Sequence, residues 1–370
     1  MSTDRMIQEF CHLVEIDSPS FGERAMADYL TGRLTELGFV VEEDQAGAFY
    51  GGTAGNLYAH REGSRRGDPL LFSMHMDTVE PSRHKRAIVH WDGRITSQGD
   101  TVLGADDLSA VAAFLEALEG MRRDNEPCRE LEALITIGEE QHLRGSAVFD
   151  YSKLRSCQSY VLDLSGSVGT AANKAPSLAV FRAKVIGRAA HAGFAPEEGI
   201  HAIVIASRAV LGIPQGHVGD EMTVNVGRID GGSATNVVPD QCIVTGEVRG
   251  FVHSHVLKEL DRIRQVFEQE AEAAGGCVEY ETEICFCAYE TPDTHPVVKR
   301  FERACERAGI CPVLTATFGG SDQHHLSEHG IAGMVLASAM HHVHSCGEYT
   351  TTSEMEQVRN IVREIIVSEE

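Results

Sequence analysis

The chain has 370 residues, of which 42% are hydrophobic and 24% are charged, an ordinary composition for a globular protein with a large core. Its formal net charge of −23 argues against nucleic acid or an anionic membrane as a partner, because both attract surfaces rich in Lys and Arg. No apolar run approaches the roughly 20 residues of a membrane helix, and the polar first ten residues do not resemble a signal peptide.

Helix and strand patterns alternate through the first 176 residues. Ser20 and Glu23 have capping-box spacing, and apolar residues at helical spacing follow them until Gly38. A second helix is predicted from Leu108 to Leu118. Short apolar runs predict strands at 39–41, 56–58, 69–74, 134–137 and 160–162. This alternation predicts an α/β fold with a largely parallel mixed sheet flanked by helices.

From about residue 177 the pattern changes to that of a small α+β sandwich. Alternating runs predict strands at 178–186, 223–229, 242–249 and 278–284, and helices are predicted at 203–211 and 257–267. Strand–helix–strand–strand–helix–strand is the ferredoxin-like order. The α/β pattern returns from about residue 291, with a last helix through 358–365. We therefore predict a discontinuous domain formed by 1–176 and 289–370, and an inserted domain at 177–288.

Ten cysteines are scattered along the chain without any C-x-x-C pair. A disulfide framework is not expected at this length, because such frameworks belong to small secreted domains. We therefore expect reduced thiols and a cytoplasmic location.

Acidic and histidine side chains cluster where predicted strands end. They are His75 and Asp77 after the strand at 69–74, Asp106 and Asp107 before the second helix, Glu139 and Glu140 after the strand at 134–137, and Asp163 after the strand at 160–162. The carboxyl ends of parallel strands meet at one edge of a sheet, where ligands bind in open α/β folds. Carboxylates do not gather there without cations, because like charges repel. The placement predicts a metal site.

Each of these residues alone also has an ordinary structural interpretation. Asp106 could cap the following helix, Glu139 and Glu140 could form a solvated turn, and Asp163 could be a turn acid. His344 lies in a stretch with two other histidines, which could be surface or core side chains. Only the joint placement favours a metal site.

Five stretches carry a resemblance to a known family. They are Ser73-Met-His-Met-Asp-Thr-Val79, Leu103-Gly-Ala-Asp-Asp107, Gly138-Glu-Glu140, Tyr160-Val-Leu-Asp163 and His344-x-x-x-Glu348. In this order they resemble the signature of the dinuclear zinc exopeptidases, the superfamily of peptidase T, glutamate carboxypeptidase and aminoacylase. The stretches at 187–200 and 231–249 are similar to the peptidase T-like branch. The resemblance implies a zinc exopeptidase-like fold whose inserted domain serves as a lid and a dimerisation surface.

The resemblance also implies a set of metal ligands. Asp106 resembles the carboxylate that bridges two metal ions, with His75 and Asp163 completing one site and Glu140 and His344 completing the other. Mixed nitrogen and oxygen ligands of this kind suit two divalent ions, Zn, Co or Mn, that share a water molecule and lower its pKa.

Further roles follow from the same resemblance. Glu139 resembles the general base, and Asp77 resembles the carboxylate that orients the His75 imidazole. In the inserted domain, His191 resembles a lid histidine that stabilises the oxyanion, and Asn236 resembles a residue that contacts substrate. Arg249 binds a substrate carboxylate or braces the lid, and the sequence leaves both interpretations open.

Three positions depart from the family pattern. Leu108–Ser109 stand where relatives carry Lys and Gly, and Gln323–His324 replace Ala and Asn. Phe318 occupies the position of the arginine that helps to hold a peptide carboxylate in peptidase T. We assign the neighbouring Ser321 and Asp322 to substrate binding. These departures bear on which substrate is bound rather than on water activation.

The resemblance thus implies a metal-dependent exopeptidase of aminopeptidase or tripeptidase type that hydrolyses a small peptide. Asp163 favours this activity, since acylase and carboxypeptidase relatives carry Glu there. One alternative is an N-acyl amino acid deacylase or amidase, with Phe318 lining an acyl pocket. Another is a non-catalytic binding module, against which the retention of all five ligand candidates argues. We expect a homodimer formed through the inserted domain.

Overall fold

Residues 2–368 are described by a computed structural model, and the contacts between residues divide the chain into two units. Unit 1 comprises Met1–Lys174 and Glu290–Glu370, and unit 2 comprises Ala175–Tyr289. The boundaries expected from sequence, 177 and 288, lie within two residues of the ends of unit 2. Among the described residues, no helix combines the length and apolar character required to cross a membrane.

Helices alternate with strands in unit 1, whereas unit 2 is mainly β-structure. The helices are α1 (Ser2–Glu15), α2 (Arg24–Glu36), α3 (Ala46–Tyr50), α4 (Ala105–Asp124), α5 (Arg144–Ala147), α6 (Ala202–Leu211), α7 (His253–Ala273), α8 (Pro296–Arg307), α9 (Gln323–Glu328) and α10 (Thr352–Val367). The strands are β1 (Val40–Glu43), β2 (Leu57–Arg61), β3 (Leu70–His75), β4 (Ala87–Val89), β5 (Arg94–Ser97), β6 (Leu131–Thr136), β7 (Gln158–Leu164), β8 (Thr170–Ala175), β9 (Ser177–Ile186), β10 (Gly216–His217), β11 (Met222–Gly231), β12 (Gln241–Gly250), β13 (Cys277–Phe286), β14 (Tyr289–Glu290), β15 (Val313–Ala316), β16 (Ala332–Ala337) and β17 (Tyr349–Thr351).

The main sheet has the strand order β1-β2-β6-β3-β7-β16-β8-β14, and β15 also pairs with β8. β6, β3, β7 and β16 run parallel to one another. β1 and β2 pair antiparallel at one side, and β8 pairs antiparallel with β16. The largely parallel mixed sheet predicted from the sequence is confirmed.

Both faces of this sheet are covered, which explains why its central strands are continuous apolar runs. Successive residues of β3 point to opposite faces: Leu70 and Phe72 join one buried apolar cluster, and Leu71 joins another. Phe72 packs between Phe114 and Tyr160, with ring centroids 5.3 and 5.6 Å away. A side chain in this position contributes about 3–5 kcal/mol to stability.

A separate small sheet in unit 1 has the order β17-β5-β4 and is antiparallel throughout. The turn between β4 and β5 carries Trp91, whose side chain is 98% exposed. This sheet is not predicted from the sequence.

Unit 2 is a five-stranded antiparallel sheet, β10-β11-β12-β9-β13, with α6 and α7 packed on it. Alternate residues of β9, including Phe181, are buried against apolar side chains of α7 such as Phe267. Gly246 is required on β12, because a Cβ there would lie 2.4 Å from a backbone oxygen and 2.5 Å from the Phe181 ring. The ferredoxin-like order predicted for the inserted segment is confirmed.

The predicted capping box at Ser20 and Glu23 is wrong. α2 begins at Arg24, and the side chain of Glu23, the residue before it, makes no capping hydrogen bond. Glu23 Oε1 instead accepts hydrogen bonds from the backbone N–H groups of Phe21, at 2.7 Å, and of Gly138, at 3.0 Å. The carboxylate is buried because it ties two loops together rather than ending a helix.

Candidate metal centre

The carboxyl ends of three parallel strands deliver the first group of candidate ligands. β3 ends at His75, Glu139 and Glu140 follow β6 by a short turn, and Asp163 lies near the end of β7. Because β6, β3 and β7 are adjacent and parallel, these side chains lie at the same edge of the sheet. The backbone therefore brings together residues that are far apart in sequence.

Two further residues reach the same edge from loops. Asp106 lies at the start of α4, with backbone angles outside the helical range. Its carboxylate points to histidines, since Oδ1 lies 3.0 Å from His75 Nε2 and Oδ2 lies 3.3 Å from His344 Nε2. The helix-capping interpretation of Asp106 is therefore not supported. His344 follows β16 in a left-handed conformation, with φ of 60°, and 55% of its side chain is exposed.

The five candidate ligands form two overlapping groups. His75, Asp106 and Asp163 make one, and Asp106, Glu140 and His344 make the other, with ligand atoms in each group within 4.8 Å of one another. Asp106 belongs to both and presents a different oxygen to the histidine of each group. This is the arrangement expected of a carboxylate between two cations.

The donor atoms fit divalent metal ions. Nitrogen and carboxylate oxygen are the ligands of catalytic zinc and related ions. Glu140 Oε1 is fully buried and has no hydrogen-bond partner among the described residues, whereas Glu140 Oε2 lies 3.0 Å from His344 Nε2. A buried carboxylate oxygen without a partner is costly, and a bound cation removes that cost.

Charge at this edge is balanced only partly by the chain itself. Burial, followed by the charge of Asp106, raises the pKa of Asp163 well above its usual value. Burial opposes ionisation of Asp106, but hydrogen bonds from His344 and His75 lower its pKa overall. Hydrogen bonds to Asp106 and Glu140 raise the pKa of His344 to about 10. Without metal, protonated imidazoles neutralise the acids, and cations would take over that role.

Glu139 differs from Glu140 in its surroundings. Its side chain belongs to neither ligand group, and the residue is 8% exposed. Burial, followed by the charge of Asp163, raises the pKa of Glu139 well above its usual value. A carboxylate with a raised pKa beside a metal centre is suited to accept and return a proton near neutral pH.

Asp77 connects these residues. Its Oδ1 accepts a hydrogen bond from Glu139 N at 3.0 Å, and its Oδ2 accepts from Ser20 Oγ at 2.7 Å and from Glu140 N at 3.3 Å. His75 Nδ1 lies 3.0 Å from the Asp77 carbonyl oxygen and 3.5 Å from Oδ1. Nδ1 therefore donates toward Asp77, which leaves Nε2 directed at Asp106 and the candidate metal position.

Sequence reasoning missed several supporting residues. Glu348 accepts hydrogen bonds from the backbone N–H groups of Leu103, Gly104 and Asp106, at 2.8, 2.7 and 2.9 Å. It therefore fixes the loop that carries Asp106. The sequence signal for Glu348 is its position four residues after His344. Spacing alone, however, does not reveal that a side chain binds backbone N–H groups.

The predicted substrate-binding residues of unit 1 are buried. Ser321 is 3% exposed and Asp322 is 2% exposed. Both oxygens of Asp322 accept hydrogen bonds, from Thr136 Oγ1 at 2.6 Å and from Ser146 Oγ at 2.5 Å. This bonding favours a supporting role for Asp322 over direct contact with a substrate.

The predicted lid residues lie in unit 2. His191 and Asn236 are both exposed and adjacent, since Ala192 N donates to the Asn236 carbonyl at 3.0 Å. His191 Nδ1 accepts from the backbone N–H groups of Gly193 and Phe194. Arg249 pairs with Glu247 on the same strand, at 2.9 Å, which favours the bracing interpretation for Arg249.

Comparisons with known proteins show which proteins this chain resembles. Residues 174–275 match the family model of the peptidase dimerisation domain, and residues 56–181 match that of peptidase family M28. The chain is 34% identical over 362 residues to the uncharacterized protein YqjE of Bacillus subtilis (strain 168), covering 98% of this chain and 97% of that protein. It is 34% identical to the aminopeptidase PepT from Bacillus cereus ATCC 10987, with a TM-score of 0.93 over 99% of this chain and 98% of that chain. The chain belongs to the peptidase T-like family.

A second peptidase T-like structure gives the same result. The tripeptidase from Staphylococcus aureus subsp. aureus Mu50 is 32% identical, with a TM-score of 0.96 over 98% of this chain and 97% of that chain. The predicted family, fold class and enzyme class are confirmed. This peptidase T-like protein is a metal-dependent exopeptidase.

Proposed function

We propose that this peptidase T-like enzyme removes the N-terminal residue from small peptides, tripeptides in particular, using two zinc ions. The observation that carries the proposal is the pair of ligand groups that share Asp106. The similarity to the Bacillus cereus aminopeptidase and the Staphylococcus aureus tripeptidase supports it. Cobalt and manganese suit the same ligands and are the alternatives.

The two ligand groups support a role for each residue. His75, Asp106 and Asp163 would hold one ion, and Asp106, Glu140 and His344 would hold the other. When bound, two such ions lower the pKa of a shared water and polarise the scissile carbonyl. Asp77 keeps the His75 imidazole in the orientation that presents Nε2.

Glu139 moves the proton. Its carboxylate takes a proton from the attacking water and gives it to the amine of the departing peptide. Asp77 holds the Glu139 backbone at 3.0 Å, so that the base and the His75 ligand are positioned by the same carboxylate. Burial raises the pKa of Glu139, so that its carboxyl group can hold the proton until the proton passes to the leaving amine.

Substrate has space beside these residues. A cleft of about 480 Å³ is lined by Ser20, which bonds Asp77, by Thr78, and by Gln141, which follows Glu140. This volume suits a small peptide. None of the candidate metal ligands lines this cleft, so we place in it the part of the peptide that extends beyond the metal centre.

The inserted domain completes the proposal. We assign residues 177–288 to a lid and dimerisation domain, and residues 1–176 and 289–370 to the metal-binding catalytic domain. In the lid, His191 stabilises the oxyanion and Asn236 contacts the substrate. We further propose a homodimer formed through the lid domain, and a cytoplasmic location.

A paired measurement of metal content and hydrolysis tests the proposal. Purified protein should contain two transition-metal ions per chain and should cleave free tripeptides, with activity lost to a chelator and restored by zinc. Glu140→Gln should lose metal, whereas Glu62→Gln, an exposed acid outside the site, should not. Fewer than two ions per chain would contradict the dinuclear assignment. Cleavage of N-terminally blocked substrates alone would establish the deacylase alternative, and no turnover of any substrate would favour a binding module.

A further inference from the structure

The edge of the main sheet where β3, β6 and β7 begin, here called the amino edge, carries buried arginines. Since these strands are parallel, the amino edge lies opposite the one that carries His75 and Asp163. Arg129 stands two residues before β6 and is only 7% exposed. Its side chain makes no hydrogen bond or ion pair with any residue between 2 and 368. A buried guanidinium without a partner is rare in proteins.

Two further arginines act on Arg129. Burial, then Arg300 and Arg65, lower the pKa of Arg129, whereas Asp68 and Tyr160 raise it. Arg300 is 2% exposed and donates to Gln158 Oε1, at 2.5 Å, and to Tyr160 Oη, at 3.3 Å. Arg65 lies on the loop before β3, and its guanidinium donates to a backbone carbonyl near the end of α10. Asp68 is exposed and does not reach ion-pair distance.

This arrangement leaves a charge to be compensated. Arginine cannot lose its proton in a protein, so Arg129 keeps its charge although burial, and then Arg300, lower its pKa. A buried cation without a partner is strongly unfavourable, and nearby cations add to the cost. Among residues 2–368 no acid lies within ion-pair distance of Arg129, so a bound anion would supply the compensating charge.

We propose that Arg129, with Arg300 and Arg65 around it, binds a small tetrahedral oxyanion of the phosphate type at the amino edge. The planar guanidinium matches two oxygens of such an anion at once.

The surroundings of Arg129 favour a small anion. Gly67 lies against the Arg129 guanidinium, since a Cβ at that position would be 3.0 Å from Nε and 3.1 Å from Cζ. The Arg129 nitrogens are not fully enclosed by the protein, so an anion can reach them from solvent. A chain of formal net charge −23 does not attract polyanions such as nucleic acid. Inorganic phosphate, sulfate or a phosphate group on a small metabolite fits these conditions.

Calorimetric titration of the metal-loaded full chain with inorganic phosphate tests the site. Phosphate also has access to the metal centre, so the comparison of variants isolates the arginine site. Wild-type protein should bind one more equivalent of phosphate than Arg129→Gln. Arg129→Lys, which keeps the charge but loses the planar fork, should bind that equivalent at least about tenfold more weakly. Arg123→Gln removes an exposed arginine and serves as the matched control, with binding unchanged.

Thermal unfolding gives a second readout. Phosphate at ten or more times its Kd should raise the Tm of wild-type protein by about 2 °C or more, beyond the rise seen in Arg129→Gln. If Arg129→Gln does not fold, both measurements are made on Arg129→Lys instead. Equal stoichiometry and an equal Tm rise in wild type and variant would overturn the proposal. Equal binding of acetate, a planar anion, at the same position would overturn the assignment to a tetrahedral oxyanion.

Discussion

Replacing Lys85 with methionine removes a positive charge that lies buried behind the candidate metal centre. Lys85 is 1% exposed, and its Nζ donates to Thr78 Oγ1 at 3.0 Å. Burial lowers the pKa of Lys85 to about 8, although the nearby acids Asp17, Glu348 and Glu80 act in the opposite direction. Methionine has a similar length and suits an apolar environment.

The magnitude follows from the difference between the pKa of about 8 in the folded chain and the ordinary lysine pKa of 10.5. At pH 7 the lysine is charged in both the folded and the unfolded chain, and burial of the charge costs the folded state about 3 kcal/mol. Between pH 8 and 10.5 the folded chain releases the proton while the unfolded chain keeps it, so this cost falls as pH rises. The variant also loses the hydrogen bond from Lys85 to Thr78, which lowers its stability by about 1 kcal/mol. Lys85→Met should therefore be more stable than wild type by about 2 kcal/mol at pH 7.

Urea unfolding at pH 7 and pH 9.5 measures this difference. The advantage of Lys85→Met should shrink by about 2 kcal/mol between the two pH values, because the wild-type cost is then largely relieved. Circular dichroism is the suitable probe, since Trp91 is 98% exposed and its fluorescence reports little on the core. Lys299→Met, at a 47% exposed side chain, should show no comparable pH dependence. A variant less stable than wild type at pH 7, or a difference independent of pH, would refute the reasoning.

Three further substitutions test the site and the core. Glu139→Gln should keep both metals and lower turnover by about 10²–10⁴-fold, measured as kcat beside metal analysis, and unchanged kcat would remove Glu139 as the base. Asp77→Asn should weaken metal affinity or activity by about 10–100-fold in a metal titration, because His75 loses its orienting partner, and equal affinity and activity would contradict that role. Phe72→Ala should cost about 3–5 kcal/mol in urea unfolding, and a cost below 1 kcal/mol would mean that the core closes around the cavity.

The central strands could be predicted from the sequence because each is a compact apolar run buried on both faces. The run at 69–74 corresponds to β3, the run at 134–137 overlaps the end of β6, and the run at 160–162 lies within β7. The small sheet could not be predicted, since β17 pairs with β5 across about 250 residues of chain and no local pattern encodes that pairing. α1 was also missed, although Met6, Phe10 and Leu13 recur at helical spacing.

Within the site, the residues that end strands were found and those that bind backbone were not. His75, Glu139 and Asp163 stand out because an acid or a histidine interrupts an apolar pattern. Glu348 and Lys85 act through loop backbone and a buried hydroxyl, and these contacts depend on how distant loops meet. Arg129 gives no signal in the sequence at all, because an isolated arginine before a strand is ordinarily exposed.

The main sheet therefore carries opposite charges at its two ends. Acids gather where β3 ends at His75, and guanidiniums gather near Arg129, where β3 and β6 begin. A strand of six residues spans about 20 Å, and salt screens buried charges much less than exposed ones. One end attracts cations and the other attracts anions. Because the field between them passes through the protein core, loading one end with its ion would change the affinity of the other, most strongly in dilute buffer.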